Sequence, residues 1–414
     1  MFTKDDLRKL LAEGMPLRGI IREAAKDVIH QALQVEAEDF ISQNQEELLD
    51  GKPRLVFNGT LPEREILFSC GPVSVKAPRV RDNKDTDEKF QFKSNLLPRY
   101  LRTADEVATL IPWMYLKGIS ENDFQPMFEA IFGEEIKGLS GSTVGNLIHA
   151  WDDEYLQWSK RDLSGENYPY IFADGVNFKV KERDNCSQLV LLGVDETGRK
   201  RLVGFEEGYA ESKESWRGLF IRLKEYGLKA PKLVVGDGGL GLWSGLGEVF
   251  PDCQRQFCWV HKVKDAKKYL PQSLHKQVLF NLKNIYLSET KEEAIRQVKI
   301  YKTIYEEKYP KAVETITKNI DNLLTFYSFP AVHWVQLRTN NPIESMFSTL
   351  RLRTNKMRGQ MGRGRLGAMI FKLCQMASKK MKAIVGADRL RLVLEGKKFE
   401  NGILAGLATP EKDG

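Results

Sequence analysis

The segment YIFADGVNFKV, residues 170–180, opens a run of apolar, β-prone sequence that decides the fold of this chain. Two similar segments follow it, SQLVLLGVDETG at 187–198 and KRLVGFEEGYA at 200–210. Polar turns of only a few residues connect the three, and connections this short join antiparallel neighbours. The pattern therefore predicts three adjacent antiparallel strands, with Asp174 inside the first.

Alternating helices and strands are predicted after these three strands. SKESWRGLFIRLKEYGL (212–228) has helical periodicity, KLVVGDGG (232–239) is a short apolar strand, and another short helix and strand lie around CQRQFCWV (253–260). Three antiparallel strands, a helical crossover, a parallel strand, a helix and a further strand is the order of a ribonuclease H-like sheet. We therefore expect a multidomain α/β chain that contains a ribonuclease H-like domain.

Helical sequence flanks and interrupts this domain. Residues 4–49 have apolar positions at helical spacing, whereas Gly and Pro in 51–82 separate short β-prone runs and predict a small sheet or hairpin. Residues 262–337 are almost entirely helical in pattern and are interpreted as an all-α insertion. The predicted domains are an N-terminal helical region (1–50), a small β element (51–97), a helical DNA-binding region (98–160), the catalytic domain (161–261 and 338–385), the insertion (262–337) and a C-terminal tail (386–414).

The charge of the chain is distributed unevenly. The formal net charge is +7 over 414 residues, but residues 351–382 hold ten Lys or Arg and no Asp or Glu. Clustered cations neutralise phosphates, which favours a nucleic acid partner, and the alternative is a solvated helix face and loop. The cationic candidates for DNA binding are Arg353, Lys356, Arg358, Arg363 and Arg365.

Several classes of protein are excluded by the composition. The five cysteines are an odd number scattered through a large chain, which argues against a disulfide framework and favours a reducing compartment. No run of about 18 apolar residues exists, so an intracellular protein without a membrane span is expected. The sequence has neither a G-x-S-x-G elbow nor a G-x-x-x-x-G-K-[ST] loop, which argues against serine hydrolases and nucleotide hydrolysis.

Three carboxylates are candidates for chemistry. Asp174 lies inside an apolar strand, Asp237 ends another, and Glu344 begins a helix within RTNNPIESMFSTLRLRT (338–354). If the two strands are adjacent, both aspartates lie near one edge of the sheet, and the last helix delivers the glutamate to it. Oxygen ligands that converge on one cleft suit Mg²⁺ or Mn²⁺, and two such ions can drive an in-line displacement at phosphorus.

Each carboxylate also has a purely structural interpretation. Glu344 could complete a capping box with the Asn three residues before it, because an Asn-Pro pair is typical of a helix start. Asp237-Gly is a common turn, and Asp174 could form an Asx-turn. Arg351, however, lies two helical turns after Glu344 on the same face, and a cap does not explain a cation there. The combination of three carboxylates with a nearby arginine favours a metal-dependent site that binds phosphate.

Two further motifs leave alternatives open. Cys258 and His261 have a C-x₂-H spacing, but zinc needs four ligands and only His275 is near in the sequence. Residues 140–143 begin a helix that follows another helix and a turn, which is the layout of a helix-turn-helix, although such pairs are also common in all-α cores. The candidates for base contacts in this helix are Ser142, Thr143 and Asn146.

The chain resembles the mutator-type transposases of bacterial insertion sequences, which are similar to the transposases of eukaryotic Mutator-like elements. The match runs from about residue 53 to 403, and its most specific segments are FADGVNFKV, VVGDGGLGLW, QRQFCWVHKV and LRTNNPIESMFSTLRLRT. The resemblance implies a DDE-type catalytic triad of Asp174, Asp237 and Glu344. It also implies a ribonuclease H-like fold that an all-helical insertion interrupts.

The family pattern assigns residues around this triad as well. It implies Arg351 as a catalytic basic residue, Cys258 and His261 as a supporting motif, and Trp334 as an insertion-domain tryptophan, for which core packing is the simpler interpretation. The departures are small: Thr-Asn-Asn-Pro stands before the glutamate where Thr-Thr-Asn-Pro is expected, and Phe257 stands where Arg is expected. Neither removes a carboxylate.

The function that this resemblance implies is DNA transposition. We expect binding to the terminal inverted repeats of an insertion sequence, then metal-dependent cleavage and strand transfer, by a copy-out route through a circular intermediate. The expected cofactors are two Mg²⁺ or Mn²⁺ ions per site. The expected partners are element-end and target DNA, held by a homodimer or higher oligomer at the nucleoid of a bacterial cytoplasm. Alternatives are a structure-specific nuclease of the same fold and a catalytically silent DNA-binding regulator.

Overall fold

The chain divides into two structural units, Met1–Ala150 and Trp151–Gly414, with the boundary inside a helix. This division is seen in a computed structural model of the protein. The structure describes residues 2–44, 51–84, 89–98, 101–120, 123–132, 141–180, 183–208, 211–356 and 363–406.

The first unit combines helices with two pairs of short antiparallel strands. Its elements are α1 (Lys4–Ala12), α2 (Leu17–Gln43), β1 (Leu55–Thr60), β2 (Arg64–Phe68), β3 (Gly71–Val75), β4 (Pro78–Asp82), α3 (Asp105–Lys117), α4 (Phe124–Phe132) and the start of α5 (Gly141–Ser159). β1 pairs with β4, and β2 pairs with β3. Leu33 of α2 is buried together with Ile66, Val73 and Val75 of the second pair, which gives this unit an apolar core.

A five-stranded mixed sheet organises the second unit. Its strands are β5 (Tyr170–Val180), β6 (Arg183–Val194), β7 (Lys200–Gly208), β8 (Leu233–Gly236) and β9 (Gln254–Phe257), in the spatial order β7-β6-β5-β8-β9. β6 is antiparallel to both β5 and β7, whereas β8 is parallel to β5 and β9 is parallel to β8. The predicted antiparallel trio and the parallel strand after the helical crossover are both present. The connecting helices are α6 (Lys213–Glu225) and α7 (Leu240–Val249).

The bounds of β6 differ from the prediction. β6 begins at Arg183, opposite Val180, because most of the polar stretch after β5 belongs to the β5–β6 hairpin rather than to a turn. β6 ends at Val194, because the Asp195 side chain accepts the amides of Thr197 and Arg199 and so closes the next turn. Polar composition alone did not separate a hairpin strand from its loop.

Helices follow the last strand of the sheet. They are α8 (Trp259–Lys267), α9 (His275–Tyr286), α10 (Lys291–Tyr305), α11 (Pro310–Thr317), α12 (Ile320–Leu323), α13 (Trp334–Leu337), α14 (Asn341–Lys356), α15 (Arg363–Lys380) and α16 (Leu390–Leu394). Residues 262–337, all of which the structure describes, contain no strand. α14 packs on β5 and β6, and α15 packs on β7, so the last long helices return to the sheet.

The structure describes the C-terminal segment as far as residue 406. After α16 it forms a small hairpin of β10 (Phe399–Glu400) and β11 (Ile403–Leu404). The Gly402 amide donates to the Tyr327 carbonyl at 3.1 Å, and the Ala331 amide donates to the Gly402 carbonyl at 3.1 Å. The segment predicted as a tail is thus docked on the helical region. Over the described ranges, every helix is too short or too polar to traverse a lipid bilayer.

Candidate active site

The two aspartates lie at the same level of the sheet, on neighbouring parallel strands. In the register of β5 and β8, Phe172 is opposite Val235. Two residues further along in the sequence from each of these positions, the same register brings Asp174 level with Asp237. Both carboxylates therefore occupy one edge of the sheet, as the predicted adjacency of the strands requires.

Local hydrogen bonds orient both carboxylates. Oδ1 of Asp174 accepts the Gly175 amide at 2.9 Å, and Oδ1 of Asp237 accepts the Gly239 amide at 2.9 Å. The Trp243 indole N–H donates to the Asp237 carbonyl at 2.8 Å and ties α7 to this turn. The turn interpretation is therefore correct for Asp237, but the turn occupies only one oxygen of its carboxylate, Oδ1. Neither second oxygen accepts a hydrogen bond from the residues that the structure describes.

The helix that carries Glu344 is tied to β5 by the residue before it. Asn340 is completely buried, and its Nδ2 donates to the Ala173 carbonyl at 3.1 Å, next to Asp174. α14 begins directly afterwards, at Asn341. Glu344, in the first turn of the helix, is consequently set against the same edge of the sheet.

The capping-box interpretation of Glu344 is wrong. Its amide donates to the Asn340 carbonyl at 3.1 Å, so the helix starts one residue earlier than the Asn-Pro pattern suggests. Its Oε1 lies 3.2 Å from Nε2 of His261, and the carboxylate is 40% exposed. The side chain thus points across to another helix instead of back to the Asn341 amide.

The starts of α8 and α14 are joined side by side. The Trp259 amide donates to the Arg338 carbonyl at 2.9 Å, and the Asn340 amide donates to Sγ of Cys258 at 3.1 Å. His261 follows two residues further along α8. These contacts hold its imidazole opposite the carboxylate of α14.

Cys258 has a structural place in this junction. Its side chain is buried, and burial raises the pKa of its thiol although backbone amides point at the sulfur. A protonated thiol is a poor metal ligand. His275 contacts the Lys267 and Leu270 carbonyls through Nε2, both at 3.1 Å. Across the described ranges, neither residue joins a group of potential metal ligands, so the C-x₂-H motif divides into a structural Cys and a His at the site.

A fourth carboxylate, Glu211, was not singled out by the sequence. It precedes α6, and a Cβ on Gly175 would overlap its carboxylate, while a Cβ on Gly241 would overlap its backbone carbonyl. Two glycines, each shortly after one of the aspartates, therefore make room for Glu211. The sequence signal was Gly175 itself, because Gly inside a strand often marks a close approach by another group.

The potential ligand atoms fall into two groups that share Asp174. Atoms of Asp174, Glu211 and Asp237 all lie within 4.8 Å of one another, and so do atoms of Asp174, Glu344 and His261. The three predicted acids thus meet through Asp174 rather than as a single group. In the described part of the chain no Lys or Arg forms an ion pair with Asp174, Glu211 or Asp237. Carboxylate oxygens and an imidazole nitrogen are ligands that suit divalent cations.

Burial and neighbouring charges raise the pKa of Asp174 from its ordinary value of 3.8 to about 8. Burial is the largest cause, followed by the charge of Asp237; Glu211 and Glu344 add to the effect. Burial, and then the charge of Asp237, also raises the pKa of Glu211. Either a proton or a bound cation relieves this repulsion, so the two compete for the same carboxylate.

We expect the metal-free protein to lose thermal stability as the pH rises from about 4 to about 8. The folded-state pKa of Asp174 lies above the ordinary value, so the stabilisation from its proton is complete below 3.8 and is lost as the pH rises through about 8. Mn²⁺ should therefore raise the unfolding temperature more at about pH 8.5 than at about pH 6. Unfolding scans with EDTA or Mn²⁺ measure this effect. Asp174→Asn should flatten it, and identical pH profiles for the two proteins would contradict the assignment.

The predicted cationic residues are partly described. Arg351 is exposed on α14, and its guanidinium carbon lies 5.8 Å from the centroid of the Phe347 ring. Arg358 lies outside the described residues. The structure places the backbone but does not describe the side chains of Arg353, Lys356, Arg363 and Arg365.

Lys262 is a cation that the sequence did not single out. It is only 8% exposed, and its ammonium lies 5.5 Å from the centroid of the Phe257 ring. A Cβ on Gly238 would overlap this ammonium, so the charge lies against the backbone directly after Asp237.

The remaining predicted site residues lie away from the carboxylates or have undescribed side chains. Trp334 is buried, donates its indole N–H to the Phe329 carbonyl at 2.8 Å and packs edge-on against Phe326 and Tyr327. This contact network is that of a core aromatic. The first turns of α5, where the structure describes the backbone but not these side chains, hold Ser142, Thr143 and Asn146.

Known proteins similar to this chain cover most of its length. A family model described as Transposase, Mutator family, matches residues 5–361. The transposase for insertion sequence element IS6120 of Mycolicibacterium smegmatis is 42% identical over 299 residues, which are 72% of this chain and 92% of that protein. The transposase for IST2 of Acidithiobacillus ferrooxidans is 35% identical over 295 residues, 69% of this chain and 98% of that protein. The transposase for IS256 in transposon Tn4001 of Staphylococcus aureus is 27% identical over 302 residues, with 72% and 74% covered.

Proposed function

The chain belongs to the Mutator family of transposases, and on that premise we propose that it is a DDE-type DNA transposase with Asp174, Asp237 and Glu344 as its acids. The observation that carries the proposal is the position of Asp174, which shares one ligand group with Asp237 and another with Glu344. The three acids come from two strands and a distant helix. Separate roles as turn and cap residues would not require them to meet.

We infer that the five-stranded sheet belongs to a ribonuclease H-like catalytic domain. The strand order β7-β6-β5-β8-β9, with three antiparallel strands and then two parallel ones, supports this assignment. The proposed catalytic domain comprises 161–261 and 338–385, and 262–337 is its all-α insertion. The proposed flanking regions are 1–50, 51–97, 98–160 and 386–414.

The acids would hold the divalent ions that phosphoryl transfer of this class uses. When bound, two Mg²⁺ or Mn²⁺ ions supply activation of a water or a 3′-hydroxyl and stabilisation of the leaving oxygen. The protein supplies rigid placement: the sheet keeps Asp174 and Asp237 level, and Asn340 keeps the helix of Glu344 against them. Ligands held in this way need little reorganisation during the reaction.

Cations beside the acids would position the DNA backbone. Arg351 lies two turns after Glu344 on α14, and Lys262 places an ammonium against the backbone that follows Asp237. Charge-assisted hydrogen bonds from such groups hold phosphate oxygens in a fixed register. The basic composition of residues 351–382, which include no Asp or Glu, supports a phosphate-binding role for this part of the sequence.

The proposed partners are the terminal inverted repeats of the element and a target DNA. We assign end recognition to the helical region 98–160, with base contacts from the start of α5. Because a transposase must hold two ends, we propose a homodimer or higher oligomer on DNA that acts at the nucleoid. A copy-out route through a circular intermediate is the pathway that the family resemblance favours.

A strand-transfer assay tests this function. The full chain is incubated with Mn²⁺, a labelled duplex of the element's own end and a target plasmid. Wild type is expected to produce joined DNA, and Glu344→Gln is expected to lose at least ~10²-fold in joining rate, since it removes one charged ligand. Binding of the end duplex, measured by mobility shift, should persist in the variant.

The outcomes of this assay separate the alternatives. Glu214→Gln, an exposed glutamate in the first turn of α6, is the matched control and should join DNA at the wild-type rate. Cleavage without joining would identify a structure-specific nuclease. End binding without cleavage by wild type would identify a silent regulator. Joining by Glu344→Gln at the wild-type rate would remove Glu344 from the centre.

A further inference from the structure

We propose that the centre binds its two cations at unlike positions that share Asp174. One position is formed entirely by carboxylates, from Asp174, Asp237 and Glu211, and the other is mixed, from Asp174, Glu344 and His261. The inference rests on the proposed function. It adds Glu211 and His261 as ligands that the catalytic triad does not contain, and the bound species at both positions is a divalent cation of the Mg²⁺ or Mn²⁺ class.

The place of Glu211 is built into two separate elements. Gly175 stands inside an 11-residue strand, where a glycine weakens the sheet, and its missing side chain is the space that the Glu211 carboxylate fills. Gly241 gives the same clearance to the Glu211 backbone. Gly175 makes β5 less stable, and it also allows a second carboxylate to lie beside Asp174. Both effects cost stability, so a further interaction is needed to offset them.

A cation provides that further interaction. Within the described ranges, neither a hydrogen bond nor an ion pair satisfies the carboxylate of Glu211, although the residue is partly buried. Carboxylates brought together without positive charge repel each other and lose hydration. A divalent ion among Asp174, Asp237 and Glu211 would attract all three carboxylates and so offset their mutual repulsion.

The imidazole of His261 faces two carboxylates, not one. Its Nε2 is 3.2 Å from Oε1 of Glu344, and a ring nitrogen also lies within 4.8 Å of Asp174. Its Nδ1 is buried and lacks a hydrogen-bond partner among the residues described. A simple Glu–His contact explains neither the approach of Asp174 nor the unsatisfied nitrogen, whereas a cation between the three side chains explains the convergence.

Asp174 would be the ligand that the two positions share. The residue is only 8% exposed, and one of its oxygens is oriented by the Gly175 amide. Its carboxylate is common to both groups of potential ligands, so it would contribute to both cation positions. The mixed position should prefer Mn²⁺ over Mg²⁺ more strongly than the carboxylate position, because imidazole suits the later metals.

Counting bound Mn²⁺ tests the assignment without relying on activity. The full chain, free of DNA, is titrated with Mn²⁺ while electron paramagnetic resonance follows the unbound ion. Wild type is expected to bind two ions per chain, and Glu211→Gln and His261→Gln are expected to bind one each. Glu214→Gln on α6 and Lys264→Gln on α8, both at exposed positions, should bind two.

A spectroscopic signature distinguishes the two positions. Electron spin echo modulation should detect the nitrogen of a coordinated imidazole on Mn²⁺ in wild type and in Glu211→Gln. The signal should vanish in His261→Gln while one ion remains bound. A residue that merely supports the fold would not move this signal. Circular dichroism and the conservative variants Glu211→Asp and His261→Asn guard against loss of folding.

The contrary results are equally definite. The proposal is overturned if wild type binds fewer than two ions, if either variant titrates like wild type, or if either variant loses both ions while folded. Its failure is separable from that of the proposed function. If wild type performs strand transfer but Glu211→Gln binds Mn²⁺ like wild type, the transposase function is supported and Glu211 is rejected as a ligand. If wild type binds two ions but performs no strand transfer, the cation positions are supported and the transposase function is rejected.

Discussion

Asp174→Asn is expected to reduce DNA cleavage and strand transfer by more than ~10³-fold, the largest loss among the site variants. Asp174 is the member common to both groups of potential ligands, so the substitution would weaken both proposed cation positions at once. Asparagine keeps the size of the side chain and an oxygen that can accept the Gly175 amide, so the strand should remain intact. Single-turnover rates on the labelled end duplex measure the effect.

The control for this variant is Asp252→Asn, an exposed aspartate between α7 and β9. It should cleave and join at the wild-type rate. Asp174→Asn itself should still bind the end duplex, and without metal at about pH 8 it should be at least as stable as wild type, because it has no carboxyl that must take up a proton on folding or be buried as a charge. Cleavage within about tenfold of wild type would take Asp174 out of the reacting centre.

Trp259→Ala is expected to lower the free energy of unfolding of the second unit by about 3–5 kcal/mol, the usual range for a buried aromatic replaced by Ala. The indole is 1% exposed, packs 5.1 Å from the Tyr286 ring and donates to the Leu323 carbonyl at 2.8 Å. Its loss leaves a cavity between α8, α9 and α12. Urea unfolding followed by circular dichroism measures the change.

Two further variants test whether the loss comes from the packing of this buried ring. Trp259→Phe keeps most of the packing, and the Leu323 carbonyl still accepts from Gln256 at 3.0 Å, so about 1 kcal/mol is expected. Phe280→Ala removes an aromatic ring that is 64% exposed on α9 and should change stability by less than about 0.5 kcal/mol. If Trp259→Ala costs no more than Phe280→Ala, the indole does not hold α8 in place. Because His261 lies on α8, the Ala variant should also weaken the mixed cation position.

Much of the sheet was predictable because its signals are local. Apolar runs bounded by polar turns indicated β5, β6 and β7, and the helix before β8 implied a parallel crossover. From these alone the adjacency of Asp174 and Asp237 followed. The ends of β6 did not follow, because the hairpin loop and the strand that leaves it have the same polar composition.

The centre was predictable only in part. Asp174, Asp237 and Glu344 were found because each acid stands at an unusual place in its own element. Glu211 was not, because an acid just before a helix is commonplace and only the space above Gly175 distinguishes it. The C-x₂-H spacing suggested a common role for its two residues, whereas the fold buries Cys258 and turns His261 toward Glu344.

The amino-acid sequence by itself determined the order of helices and strands and the family, and it singled out the three candidate acids, because periodicity, turn chemistry and motif spacing act over a few residues. Only the tertiary structure decided that Asp174 belongs to two ligand groups, that Glu211 and His261 complete them, and that Glu344 faces His261 rather than its own helix cap. Those relations join residues far apart in the chain. They depend on strand register, on clearance at Gly175 and on the junction of α8 with α14, which arise only when separate elements pack together.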